Sequence, residues 1–547
     1  MPETAVWAML VLIRCLFPRR STAVQWRIRR NKSRQKFHWR GRGAIAALLI
    51  SLVLTGTAPA QSTITGATAD SGSADSYNDW IIYHIMVGYF RNGSRANDGF
   101  GLRRWMHRNY AGGDLQGILQ QVDYLQGLGI NAVWLSPIFM AETSHGYDVT
   151  NYYRIGDAVA VPREPEASMT LFRELVTALH ERGIRVILDL PLNHGSRSYD
   201  KRHGDPNKRK PRYTKAKQEA EKTWEGWGTN YAYWNFEDED TREFLKEVAL
   251  YWLVEENVDG LRMDYIRGVP HEFWAELYAA VKSAKPDAFL FGEAWQDAAM
   301  QEPNARDIAE YYEPVEGRRQ FDGLLDFPLQ ITMIDVFARG GPVEQLQTWI
   351  ERTESLYGGL GTPLYFVDNH DLARFMSWAG APADRRLLAA LKFMSALSGA
   401  NVLFYGTETG LAGGSPQRGF IDNSRVAMPW SNMNEELIQK TSDILDLRGR
   451  HPALSHGEYV PLVADDSALA LLKTHPQGDV LVGVNMSDSA RTLHFALPGR
   501  DIATAQNLTG RGVPQASGDG NLSWDLPPFS TELVDLGGAA TAEGGDN

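Results

Sequence analysis

The feature that most limits what this chain can fold into is an alternation of short apolar runs with helical periods, running from Trp80 to Tyr405. Ile81-Ile82-Tyr83-His84-Ile85 opens it as a strand, and Leu115, Ile118, Leu119, Val122 and Leu125 follow at helical spacing. Ile130–Pro137 reads as a second strand, Met169–Glu181 as a helix and Val186–Leu190 as a third strand. A helix over Thr241–Glu256 leads into the strand Val258–Tyr265, then a helix over His271–Ser283 and the strand Phe289–Phe291. Gly323–Phe327, Leu364–Val367 and Val402–Tyr405 complete eight strand candidates, with a helix over Arg385–Ser398 before the last. Strands that alternate with helices build a parallel sheet, and eight of them close a barrel. The expected fold class is α/β, a (β/α)8 TIM barrel carried by residues 78–194 and 239–452.

Two departures from the alternation define the other parts. Gly195–Phe236 is rich in Lys, Arg, Gly, Pro, Trp and Tyr without a clear period, so residues 195–238 read as an insertion after the third strand. After a helix over Glu435–Arg450 the period falls to two in Ala468–Thr474, Val480–Asn485 and Thr492–Ala496. That pattern predicts an antiparallel β-sandwich over 453–537. Residues 61–77 read as a linker and 538–547 as a disordered tail, because neither composition can bury a core.

The first 60 residues differ in kind. A basic run (Arg27, Arg29, Arg30, Lys32, Arg34, Lys36, Arg40, Arg42) precedes the apolar stretch Ala44–Leu54 and the small-residue site Ala58-Pro59-Ala60. This is the layout of a signal peptide with a long basic n-region, and the apolar run is too short for a spanning helix. The expected location is secreted or periplasmic, with no membrane association of the mature form. Residues 1–60 hold eleven Lys or Arg and one acidic residue, so removing them takes the formal charge from −12 to −22. Phosphate backbones would be repelled by such a protein, which argues against a nucleic-acid partner. The only cysteine, Cys15, lies in this leader, so the remainder has neither disulfides nor thiol ligands.

Chemistry gathers at the ends of four strands. The third ends in Asp189-Leu190-Pro191-Leu192-Asn193-His194 and the fourth in Arg262-Met263-Asp264. The fifth ends in Gly292-Glu293-Ala294-Trp295 and the seventh in Asp368-Asn369-His370-Asp371. The C-terminal ends of barrel strands share one face, and that face carries active sites. Taken singly, each group has a plainer reading: Arg262–Asp264 as a buried ion pair, His194 or His370 as a core histidine, Asp189 as a loop cap. Taken together, three carboxyls with Arg and His partners suit glycoside hydrolysis, where one carboxyl is ionised and another protonated. Arg262 favours an ionised Asp264, and the apolar neighbours Ala294 and Trp295 favour a protonated Glu293.

The ordered set LDLPLNH, GLRMDY, FGEAW and FVDNHD resembles the four sequence regions of the α-amylase superfamily, glycoside hydrolase family 13. Gly112–Phe139, HGYDVTNYY (His145–Tyr153), FYGTETG (Phe404–Gly410), MPW (Met428–Trp430) and Leu447–Tyr459 extend the resemblance from about Trp80 to about Leu536. It implies that Asp264 is the nucleophile, Glu293 the general acid/base and Asp371 the third carboxylate of a retaining mechanism. It further implies sugar-binding roles for Arg262, His194, His370, Tyr147, Asp148 and Arg267, and a structural role for Asp189. The insertion takes the place of the family's domain B, where Trp224, Trp227, Tyr231, Tyr233 and Trp234 suit either sugar platforms or a small core.

The same resemblance implies a secreted hydrolase of α-1,4-glucans such as starch or maltodextrin, acting as a monomer without an organic cofactor. A β domain ahead of the barrel, common in cyclomaltodextrin-degrading relatives, is not seen, which favours an α-amylase type. An α-glucosidase, cyclomaltodextrinase or transglycosylase of the family is the alternative, and an inactive carbohydrate-binding homologue a second. After Asp264 many amylases have Lys-His where this chain has Arg267-Gly268, which leaves the choice of sugar beyond the cleaved bond open. Calcium is implied at Asn193 and the backbone of Gly268, and in the loop holding Asn92, Asn97 and Asp98. Hydrogen-bonded turns account for the same residues equally well.

Overall fold

The computed structural model describes residues 77–102, 110–196, 198–199, 231–295, 300–414, 424–500, 502–510, 512–517 and 521–537. The leader, nearly all of the linker, Trp224, Trp227 and the tail at 538–547 lie outside the described residues.

Eight parallel strands close a barrel, in chain order β1 (Ile81–Ile85), β2 (Ala132–Leu135), β5 (Arg185–Leu190), β8 (Gly260–Met263), β9 (Phe289–Gly292), β10 (Gly323–Leu325), β11 (Thr362–Tyr365) and β12 (Ala400–Phe404). All eight expected strands take part, each shifted by no more than a few residues. The tenth stops short of Phe327 because Asp326 caps the helix Phe327–Met333, accepting from the Leu329 amide, with Pro328 in its first turn. Two hairpins sit between the barrel strands. The first pairs β3 (Phe139–Ala141) with β4 (Val149–Ile155), and the second pairs β6 (His194–Ser196) with β7 (Tyr231–Tyr233).

Alternate side chains divide the barrel into an inside and an outside. Trp80, Ile82, Ala132, Trp134, Ile187, Phe289, Phe291, Leu364 and Val402 fill the inside, while Tyr83, Val133, Leu188, Leu261 and Met263 meet the helices. Arg262 therefore points inward between two outward apolar neighbours, and the interior at that level turns from apolar to charged. Gly260, two residues earlier on the strand, has no room for a side chain: a Cβ there would lie 2.6 Å from the Phe289 carbonyl.

Beyond the helix Glu435–Arg450, β13 (Glu458–Ala464), β14 (Ala468–Thr474), β15 (Val480–Asn485), β16 (Arg491–Phe495), β17 (Gln506–Asn507), β18 (Gln515–Ala516), β19 (Leu522–Leu526) and β20 (Ser530–Asp535) form two antiparallel sheets. Their orders are β13-β14-β15-β20-β17 and β16-β19-β18. Leu472, Leu481 and Val534 of one meet Leu493, Phe495 and Trp524 of the other in a shared core, as a sandwich requires. Gly483 permits the closest approach, since a Cβ would stand 2.5 Å from the Trp524 ring.

Candidate active site

The inward side chains at the C-terminal ends of β5, β8 and β9 converge on one guanidinium. Arg262 is fully buried, and its Nη1 donates to Asp189 Oδ1 and to Asp264 Oδ1, each at 2.8 Å. Its Nη2 lies 2.7 Å from Glu293 Oε2, off the N–H direction rather than in an aligned hydrogen bond. Asp189 also accepts from the Trp134 indole at 3.0 Å and the Tyr147 hydroxyl at 2.8 Å. One cation thus stands among three carboxyls in a dry setting.

That arrangement separates the carboxyls chemically. Burial pushes Glu293 up to about 8, with Arg262 opposing and Asp371, Asp264 and Asp189 reinforcing the rise, so Glu293 is protonated at neutral pH. Asp371 goes the other way: burial raises it, but His370 and Arg425 outweigh burial and hold it well below the usual carboxylate range. The contacts are direct, His370 Nε2 to Asp371 Oδ2 at 2.9 Å and Arg425 Nη2 to Asp371 Oδ1 at 2.9 Å. His370 Nε2 also meets the Tyr147 hydroxyl at 2.8 Å, which closes a chain from Asp371 through His370 and Tyr147 to Asp189.

Backbone geometry contributes at Tyr265, the residue after Asp264. It adopts φ 43°, unusual for a non-glycine residue, and its N–H donates to Glu293 Oε2 at 3.3 Å. The left-handed turn thereby ties the strand end of Asp264 to the carboxyl across the gap.

Comparison with known proteins decides the family. The family profile for the catalytic domain of alpha amylase matches residues 84–450. The chain belongs to the α-amylase family. It is 30% identical over 441 residues to a cyclomaltodextrinase from Bacillus sp, covering 76% of this chain and 74% of that one. A maltogenic alpha-amylase from Bacillus acidopullulyticus is 27% identical over 438 residues, with 75% and 70% covered. Among solved structures, the alpha-amylase from Geobacillus thermoleovorans complexed with acarbose superposes with a TM-score of 0.70 at 26% identity, covering 84% of this chain and 98% of that one. The enzyme is a glycoside hydrolase of this family, a barrel with a C-terminal sheet domain.

Of the residues singled out from sequence, Asp264 and Glu293 meet through Arg262, and Asp371 and Tyr147 meet through His370. His194 begins β6, buried, with its ring 4.3 Å from that of Tyr231. Asp148 accepts from the Thr143 amide at 3.2 Å and from the Thr143 hydroxyl, bracing the β3–β4 turn. Arg267 reaches away to Asp307 at 2.7 Å, on the helix Gln301–Tyr312. Of the insertion's aromatics, Tyr233 and Trp234 are buried, and the Trp234 indole donates to Tyr152, as core residues do.

Arg425 escaped the sequence reading. It follows no period and lies in a polar stretch ahead of Met428-Pro429-Trp430; its nearness to that motif is the one available signal. Arg374 escaped likewise, a buried cation that donates to the Tyr405 carbonyl at 2.6 Å and stands over the Phe404 ring at 3.8 Å.

The two expected calcium positions differ in their fit. Asn193 Oδ1 faces Gly268 so closely that a Cβ there would lie 2.1 Å from it, which accounts for the glycine in place of a larger residue. In the other loop Asn92 and Asp98 close on Gly112, where a Cβ would fall 2.3 Å from Asn92 Nδ2 and 2.6 Å from Asp98 Oδ1, and Asn97 donates to Asp114 and to the Ala160 carbonyl. Asn97 is buried, and its Oδ1 has no hydrogen-bond partner among the described residues. Asn92 Nδ2 donates to Asp98 Oδ1 at 2.7 Å as in a hydrogen-bonded turn, while the buried, unsatisfied Asn97 oxygen in the same loop suits a hard cation.

Proposed function

We propose that the enzyme is an exported hydrolase that cleaves α-1,4-glucosidic bonds of malto-oligosaccharides and starch with retention of configuration. The observation that carries this is the shared guanidinium: Arg262 contacts both Asp264 and Glu293, while burial keeps Glu293 protonated. Two carboxyls sharing one guanidinium, one of them held protonated by burial, are the equipment of double displacement.

In the first step an Asp264 oxygen attacks the anomeric carbon as the glycosidic C–O bond breaks. Glu293 gives its proton to the departing oxygen, leaving a glycosyl ester on Asp264. In the second step Glu293, now ionised, takes a proton from water; the resulting oxygen bonds to the anomeric carbon and Asp264 is released. Arg262 holds Asp264 and steadies its charge. Asp371, held ionised by His370 and Arg425, binds sugar hydroxyls and favours the cation-like ring. Tyr147 and His370, with parallel rings 5.4 Å apart, line the same end.

Cyclomaltodextrin is a second substrate to weigh, because relatives near 30% identity over most of the chain are named cyclomaltodextrinases. The basic run, the apolar stretch 44–54 and Ala58-Pro59-Ala60 support export. The loop of Asn92, Asn97 and Asp98 is read as a structural calcium site, through which no step of the reaction runs.

The test is product analysis over time on starch, maltotriose, pullulan and β-cyclodextrin, with Asp264→Asn alongside. The expected result is malto-oligosaccharides of retained anomeric configuration, with activity lost by about a thousandfold or more in the variant. Inverted product, or a variant as active as the parent, would sink the double-displacement reading.

A further inference from the structure

We propose that His84 is a positioning residue for the hydrolysis, whose ring edge sets the tautomer and tilt of His370 at the floor of the site. This rests on the reading of Asp264, Glu293 and Asp371 as the working carboxyls.

His84 sits on β1 with no exposed surface, and among the described residues neither ring nitrogen has a hydrogen-bond partner. A neutral imidazole carries one N–H and one lone pair, and burying both unmet carries a desolvation cost that a phenyl ring would not. Packing alone therefore does not call for histidine here.

The neighbours show what the ring addresses. His84 stacks on Trp134, centroids 3.6 Å apart and planes within 7°. His370 lies 5.0 Å from His84 and 6.1 Å from Trp134, perpendicular to both. Those three separations place His370 off the edge of the His84 ring and not over its face. The stack fixes the direction of that edge.

His370 is where an edge dipole has consequences. Its Nε2 faces both Asp371 and the Tyr147 hydroxyl, and its Nδ1 is buried with no hydrogen-bond partner among the described residues. A ring that turned over, or moved its proton to Nδ1, would release both Asp371 and the Tyr147–Asp189 chain. Three guanidinium groups act on His84, Arg262 from β8, Arg374 from the loop after β11 and Arg425 beyond β12, while Asp189 and Asp371 stand one residue further off, on Trp134 and His370. Burial first, and then these cations, hold His84 well below the ordinary histidine range. It acts as an uncharged dipole.

The experiment compares His84→Phe and His84→Gln with the parent on maltotriose, with melting temperature and the imidazole 15N shifts of His370 read in parallel. The phenylalanine variant is expected to melt at or above the parent temperature while kcat falls about tenfold with KM changed far less. Its His370 signals should report a tautomer mixture in place of one Nε2–H form. Glutamine, which restores a donor and an acceptor, should recover most of the kcat. Parent-like kcat and 15N shifts in His84→Phe would overturn the proposal, as would equal losses of kcat and melting temperature in both variants. Asp264→Asn run beside them keeps the two questions apart: activity there defeats the carboxyl assignment whatever His84 does.

Discussion

Glu293 carries the sharpest prediction at the scale of single residues, because one environment governs both its chemistry and its stability. Its carboxyl titrates near 4.5 when unfolded and near 8 in the folded enzyme. Between those values the folded state keeps a proton that the unfolded state has lost, so stability falls as pH rises through that window. Above it both states are ionised and the full cost of a buried charge remains. Glu293→Gln should then leave stability nearly unchanged near pH 5 and raise it by on the order of a few kcal/mol near pH 9. Urea unfolding at both values checks this, and a gain independent of pH would contradict the raised carboxyl. With Glu293 as the proposed general acid, the same proton should give the parent an alkaline limb near pH 8 in kcat/KM.

Segments show how far the sequence could be read. The barrel strands were legible because a strand buried on both faces must be nearly all apolar, as in Ile81–Ile85 and Val186–Leu190. The hairpins were not: Phe139–Ala141 and His194–Ser196 are three residues each, too short for a period, and are fixed by partners far along the chain. The helix expected over Thr241–Glu256 is instead α-helical only to Leu250 and widens into a π turn over Tyr251–Glu255, a change that side-chain spacing does not announce. In the site, carboxyls on strand ends were legible, whereas Arg425 depends on how a loop folds back over Asp371. The loop of Asn92, Asn97 and Asp98 lies between these cases, its oxygens visible in sequence and its approach to Gly112 only in three dimensions. Calcium there would satisfy Asn97 Oδ1 and lock the loop to the barrel, so adding EDTA should lower the melting temperature by several degrees and calcium should restore it. An Asn97→Ala variant should lose that response; an EDTA-insensitive parent would leave the loop as a hydrogen-bonded turn.

The whole molecule is held together where the sandwich meets the underside of the barrel. Arg448, fully buried, donates from Nη1 to the carbonyls of Ser395, Leu397 and Leu454 and from Nη2 to those of Asn78 and Gly399. It joins the start of the barrel, the approach to its last strand and the helix Pro452–His456 in one knot. Thr531 of β20 adds a hydrogen bond to the Ala389 carbonyl at 2.8 Å. Lys473 of β14 enters the same region, buried, with its ammonium 2.5 Å from the Ser398 hydroxyl. Burial, and then Arg448, lower it from 10.5 to about 7. The unfolded chain holds that proton up to pH 10.5 and the folded one only to about 7, so stability rises with pH between the two. Below that window both states are charged and the burial cost is complete. Lys473→Met should accordingly stabilise the protein by on the order of a few kcal/mol near pH 6, with the gain vanishing near pH 10.5. If barrel and sandwich share this interface as one cooperative unit, calorimetry of the variant will show a single transition moved upward at pH 6. A second transition that alone responds to the substitution would mean that the sandwich unfolds by itself.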